Sequence, residues 1–440
     1  MPSATLSARV ESGFAGDLGA RAITAFLRPI QLLVAAPAIL FLVALTAMLL
    51  RHPDVSFYEI DRVAFGLLVV GMLARALVLR KPLFQIERAS WPMLGLTLLA
   101  LTSIVSQPFD NETWMMLAAK FIVPFTLFHF SAQVFDQERR FRQFEIFALI
   151  VLAYLSFTSI AFLADARSLI FPRFILDESL GHHADRARGP LLQAVANGVS
   201  LNLLGLLAFH AYSRRSVRGF KLLLLLGSVP IAILATMTRA VWLSFGLTVL
   251  ILIFLSKSVA LRQICLGLTL AGGLTLAVVL TSPQLGCLLT DRLEERGPVD
   301  FREAVYAGSW QMFLDRPLFG WGFHQMPTEL PRYVTAYQKK VLYPHNTYLE
   351  ILVEHGVVGL ALYAWLMWEM LRLRRGAIPA SENDGFLNRQ FHRLWPVLLG
   401  VYWLNAAVVV MSYQFVNGLL FTLAGMLVAQ RRRAVSAESC

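Results

Sequence analysis

Twelve mostly apolar runs recur along the 440 residues, at about 30–50, 58–80, 91–107, 115–135, 143–164, 191–213, 219–237, 239–256, 261–281, 347–371, 394–412 and 416–430. An α-helix needs roughly 20 such residues to cross a hydrocarbon core about 30 Å thick. Inside lipid every backbone N–H and C=O must be satisfied within the spanning structure. The pattern therefore predicts an all-α polytopic membrane protein of about 12 transmembrane helices. Composition agrees, with 57% hydrophobic and 15% charged residues, where soluble domains run near 45–50% and about 25%. A string of soluble domains is excluded, and 12% aromatic residues exclude a disordered chain. The polar segment 1–29 precedes the first run without a cleavage-site pattern. The run reads as a retained anchor, and residues 1–29 as a cytoplasmic segment lying at the interface.

Basic residues orient the chain. With both termini cytoplasmic, the inside segments hold 24 of the 39 Lys and Arg residues. Outside the two long outer loops, the outer side then holds only Arg51, Arg62, Lys120 and Arg239. Such a bias is the signature of topology. It accounts for the net charge of +11 and removes any reason to invoke nucleic acid. The division that follows is helices 1–9 over 30–281, an outer loop over 282–346, helices 10–12 over 347–430 and a cytoplasmic tail over 431–440. A shorter outer loop covers about 165–190. The long loop balances seven basic against seven acidic residues, and loops of such length are commonly functional. Part of it is predicted to be helical: Asp300 caps the start, Glu303 completes a capping box, Phe301, Val305, Trp310 and Phe313 follow at helical spacing, and Pro317 ends the run. Gly320 and Gly322 mark a turn in PLFGWGF.

The segment YPHNTYLEILVEHGVVGL, 343–360, closes the loop and opens the tenth run. Asn346 is a good helix cap, so His345 falls at the start of a helix on the outer boundary. A helix N-terminus attracts anions, and a neutral imidazole is a good general base. A histidine that only packs at the interface is the other reading. Tyr343 and Glu350 stand close by in sequence, and Glu354 and His355 lie deeper, as a functional group or a buried structural pair. Four arginines are candidate diphosphate ligands, because a planar guanidinium matches phosphate oxygens: Arg186 and Arg188 before the sixth run, Arg239 in the turn between the seventh and eighth, and Arg302 in the loop helix. Salt bridges to loop carboxylates compete for Arg186, Arg188 and Arg302, and snorkelling competes for Arg239.

No metal site is predicted. Asp110-Asn111-Glu112 reads as a solvated turn, and His182-His183-x-Asp185 lacks a distant second ligand pair. Cys265, Cys287 and Cys440 form no framework. There is no Gly-rich phosphate loop, GxSxG or CxxC, so nucleotide and serine hydrolysis lack support.

Three pieces together resemble the bacterial O-antigen ligase/polymerase superfamily of integral membrane glycosyltransferases. TMTRAVWLSF looks like its R-x-x-x-L motif, from Arg239 to Leu243, a pattern that Arg188 to Leu192 fits as well. The stretch from Arg302 through Trp310 to PLFGWGF resembles its periplasmic loop. His345-Asn346, nine residues, then GVVG from Gly356 to Gly359 looks like its ligase signature. The resemblance covers roughly 190–430. It implies transfer of a finished O-antigen from undecaprenyl diphosphate to the lipid A-core, at the outer face of the inner membrane, with no cofactor and no metal. His345 would act as base and the arginines as diphosphate ligands, with Asn346, Glu350 and Tyr343 in support. An O-antigen polymerase and a protein O-oligosaccharyltransferase share the motifs and differ in acceptor. A transporter of lipid-linked sugars would instead show broken helices and ionisable groups near mid-span.

Overall fold

The computed structural model describes residues 35–51, 60–80, 82–181, 183–216, 219–255, 259–282, 297–334, 342–375 and 385–438. The segment 1–29, His182, and the loop stretches 283–296 and 335–341 lie outside them. The described residues form helices α1 (Pro37–Leu49), α2 (Ile60–Leu79), α3 (Ser90–Val105), α4 (Asn111–Val134), α5 (Glu138–Leu163), α6 (Ala194–Ser213), α7 (Phe220–Ala235), α8 (Arg239–Leu255), α9 (Val259–Thr281), α10 (Gly297–Asp315), α11 (Thr347–Arg372), α12 (Arg389–Ala406) and α13 (Gln414–Glu438). Each predicted apolar run falls on one of these helices, and α10 lies in the predicted long loop. By length and composition, α2, α4, α5, α6 and α11 (extended to Arg375) are able to cross a membrane. The helices α1, α3, α7, α8 and most of α9 are apolar but shorter.

Local chemistry sets several of the ends. Asp110 caps α4, its carboxylate accepting the Thr113 N–H at 2.9 Å and the Thr113 hydroxyl at 2.6 Å. The predicted solvated turn at 110–112 is thus a helix cap. Asn388 caps α12 in the same manner. The loop helix departs from its predicted start. It begins at Gly297 with Pro298 following, which puts Asp300 inside the first turn, where its charge still suits the helix dipole. At the other end of the chain, α13 stays helical through Glu438, across most of the predicted tail.

The core gathers around α4 and α13, which pack along each other over much of their length. Small residues permit the approach: a Cβ added at Gly425 would sit 2.0 Å from the Ser131 hydroxyl and 2.1 Å from the Phe128 carbonyl oxygen. Connections alternate between the two ends of the bundle. Those that follow α1, α5, α10 and α12 converge on a single cavity. The residues before α3 and the end of α13 meet at the opposite end, where Arg432 Nε lies 2.7 Å from Glu87 Oε1.

Gly425→Val should cost about 1–3 kcal/mol by overpacking the α4–α13 seam. Gly246→Ala in α8, where a Cβ meets open space, should be neutral or mildly stabilising. Thermal unfolding of the detergent-purified protein checks both, and equal melting temperatures for the two variants would contradict the seam.

Candidate functional site

The site is organised by a break in α11. Gly356 stands at φ 64° and ψ −164° within it, backbone territory that is essentially glycine's alone. The break releases main-chain groups from the helix, and PLFGWGF takes four of them. Trp321 and Gly322 donate their N–H groups to the carbonyls of Val353 and Glu354, both at 2.9 Å. The N–H groups of Val357 and Val358 donate to the Pro317 and Leu318 carbonyls at 2.8 and 3.2 Å. A Cβ on Gly356 would lie 2.2 Å from the Leu318 carbonyl oxygen. Trp321 ties this segment to α10, its indole N–H donating to the Met312 carbonyl at 2.7 Å while Arg316 covers its ring at 4.1 Å. Val353 of α11 joins Val305, Met312, Met326, Leu330 and Val334 in a small core beneath the loop.

Ten residues before the break, Asn346 caps α11. Its side-chain oxygen accepts the N–H groups of Tyr348 and Leu349 at 3.0 and 3.1 Å. His345, just before the cap, has φ 45° and lines a cavity of about 460 Å³. Tyr343, Glu350, Lys120, His324 and Arg51 share the wall. Met48, Leu191, Leu192, Val409 and Val410 supply an apolar side. Lys120 and Glu350 also line a second cavity of about 40 Å³, together with Glu354 and His355. Their ion pair, at 2.8 Å, therefore lies between the two spaces.

Of the predicted site residues, His345, Tyr343 and Glu350 come together on the larger cavity, with Asn346 adjacent. The four arginines do not line it. Arg188 is buried, and its guanidinium is held by main chain: Nε donates to the Ile175 carbonyl at 3.0 Å and the two terminal nitrogens to those of Leu180 and Asp177. Its fork is occupied by the 165–190 loop. Arg186 lies 3.7 Å from Asp185. The backbone between these two arginines reaches the end of α7, where Ala187 N–H donates to the Ala235 carbonyl at 3.1 Å. Arg239 begins α8 four residues later and is exposed. The arginine segment then runs through Pro190, Leu191 and Leu192 into the cavity wall. Arg302 is half-buried on α10.

Glu354 and His355 are both buried but take separate partners. The Glu354 carboxylate accepts the His324 N–H at 3.0 Å, while the His355 ring stacks on Phe323 with centroids 5.9 Å apart. Sequence reasoning missed Lys120 and His324 as site residues. Lys120 did carry a signal, since an ionisable side chain inside an apolar run marks a functional candidate. His324 carried none. It lies in the loop with its Nε2 3.8 Å from Glu112 Oε1. Burial, and then the charge of Lys120, hold its imidazole below the ordinary histidine range against the pull of nearby carboxylates. It is neutral at pH 7. Burial likewise raises the Tyr343 hydroxyl above its usual range, so it stays a hydrogen-bond donor. Among the described residues no group of three His, Cys, Asp or Glu side chains is placed to hold a metal ion.

A family model described as O-antigen ligase matches residues 220–364, well under half of the chain. The interval runs from α7 through the long loop to the middle of α11. It contains Arg239, Arg302, Tyr343, His345, Asn346 and Glu350. No curated protein matches the chain.

The depressed pKa of His324 has a consequence for stability. For a base whose folded pKa lies below its unfolded one, the unfolded chain binds the proton more readily. Its contribution is therefore full above the unfolded value, about 6.5 for histidine, and is lost as pH falls from there through the lowered folded value. His324→Asn, which tolerates the positive φ of 60°, should lose less melting temperature than wild type between pH 7 and pH 5. Parallel pH curves for the two proteins would show that the imidazole is not so held.

Proposed function

We propose, from the match of residues 220–364 to the O-antigen ligase family model, that the protein is an O-antigen ligase. In this reading it is an inverting, metal-independent glycosyltransferase of the bacterial inner membrane. It moves O-antigen from undecaprenyl diphosphate to the lipid A-core on the periplasmic face. Twelve helices cross the membrane with both termini cytoplasmic, a count that follows the alternation of basic segments. The observation that carries the reading is the position of His345, on the wall of a cavity with a polar and a larger apolar lining, where four connections from one end of the bundle meet. Such a wall suits an amphiphile with a charged head.

His345 accepts the proton of the acceptor hydroxyl as that oxygen attacks the anomeric carbon. The bond from that carbon to the diphosphate oxygen breaks, and the leaving group departs with its negative charge. A single displacement of this kind inverts the anomeric configuration. Cationic side chains stabilise the departing charge in place of a metal. Arg239, Arg186 and Arg302 remain the arginines proposed for this work, and Arg188 acts by fixing the loop that carries Arg186 toward α8. Tyr343 and Glu350 line the cavity beside the base, and Asn346 sets its approach.

A polymerase or a protein O-oligosaccharyltransferase would use the same machinery with another acceptor. The lipopolysaccharide gel of a deletion strain separates them. Loss of all core-linked O-antigen fits a ligase, one repeat per core fits a polymerase, and an unchanged pattern fits neither. The broken α11 and the buried Lys120–Glu350 pair are features that a transporter also shows. Against that reading, the break in α11 is filled by the PLFGWGF backbone rather than left open to a substrate.

Turnover per monodisperse, detergent-purified protein tests the mechanism. His345→Ala should fall about 10²–10⁴-fold, and normal turnover there would sink the assignment of the base. Arg239→Lys keeps the charge but loses the fork, and it should fall by up to about 10²–10³-fold. Full activity in that variant would reduce Arg239 to a lipid contact.

A further inference from the structure

Lys120 belongs to neither the resemblance nor the sequence-predicted site, yet three observations converge on it. It sits in the middle of a π-helical turn, Ala118–Ile122, inside α4. Such turns are rare and concentrate at functional sites, because the extra residue redirects side chains that a regular helix would aim elsewhere. It is mostly buried, its side chain 10% exposed, and its ammonium rests 2.8 Å from Glu350 Oε1 and 5.3 Å from the centre of the Phe323 ring. And it lines the larger cavity beside His345, Tyr343 and His324.

A purely structural role explains this poorly. Taking an ion pair out of water roughly cancels its attraction, and apolar side chains of equal volume stabilise as well or better. An ammonium has three N–H donors. Among the described residues one is directed to Glu350, which leaves capacity toward the cavity. A lysine and an arginine, Lys120 and Arg51, stand on the cavity wall, and Arg51 leans toward Asp61 at 3.9 Å. The candidate arginines at 186, 188, 239 and 302 are not on that wall. An anionic headgroup that enters the space beside His345 therefore meets Lys120.

We propose that Lys120 is a ligand-contacting residue whose ammonium binds the phosphate groups of a prenyl diphosphate inside the cavity, with Glu350 positioning it. The assignment rests on the reading that the donor is a lipid-linked diphosphate. Met48, Leu191, Leu192, Val409 and Val410 then face the prenyl chain.

The test measures binding of farnesyl diphosphate and of farnesol to the full-length protein in detergent. K120M alone would strand the Glu350 carboxylate, so K120M/E350Q, which removes both charges at nearly constant volume, is the decisive variant. It should bind farnesyl diphosphate about 10- to 100-fold more weakly, the ordinary weight of one charge-assisted hydrogen bond. Its affinity for farnesol, which has the tail without the phosphates, should be unchanged. Wild-type affinity for the diphosphate in K120M/E350Q would overturn the proposal. So would an equal loss for both ligands, since the pair would then only shape the cavity. Glycan transfer is scored separately. Lysine-dependent diphosphate binding in a protein that transfers no glycan would leave this site standing and remove the ligase reading.

Discussion

Everything at the functional end depends on α11 ceasing to be a helix at Gly356. A continuous helix would satisfy its own backbone and offer the loop only side chains. By breaking, it presents two carbonyls and two N–H groups at fixed spacing, and PLFGWGF binds them as one strand binds another. Four main-chain bonds of 2.8–3.2 Å hold the loop more rigidly than long surface side chains could. The same contact brings the His324 N–H to the Glu354 carboxylate and sets Phe323 against His355. Upstream, the first turns of α11, capped by Asn346, carry Glu350 to Lys120 and leave His345 on the cavity wall. Loop, helix and cavity are thus one piece of architecture.

The ion pair in its centre is a different kind of element. Lys120 and Glu350 are taken out of water into a wall of Phe121, Phe125, Phe323 and Phe421 around the smaller cavity. Losing one partner leaves the other charged and buried, at a cost commonly of several kcal/mol. Such a pair is tolerated where charge is needed at a defined point. The two cavities it separates differ greatly, about 460 Å³ on one side and about 40 Å³ on the other. The smaller is about the size for a single water molecule.

What the sequence made legible follows from how local each signal is. The twelve apolar runs required only the hydrocarbon thickness and a residue count, and each falls on a helix. The Asn346 cap needed two neighbours and is found as expected. The start of α10 shifted because Pro298 opens the helix before Asp300, and both residues are acceptable beginnings on local grounds. The break at Gly356 was hidden, because one glycine in an apolar helical pattern looks the same whether the helix continues or not. The choice between Arg188 and Arg239 was hidden too. Both fit R-x-x-x-L, and only the fold of residues 175–180 reveals that one guanidinium is already engaged. Lys120 was visible as a charge in an apolar run, but its partner lies 230 positions away.

Arg188 also bears on how such a chain can change over time. It reads its loop through the carbonyls of Ile175, Asp177 and Leu180, and a carbonyl is the same in every residue. A recognition that is blind to side chains lets those positions be rewritten without loss of shape. The 165–190 loop supplies Gly181 and Pro190 to the cavity wall, and Leu191, Leu192 and Gln193 follow directly. Its surface can therefore be retuned toward a different ligand while the frame beneath it, closed by one arginine, is inherited intact.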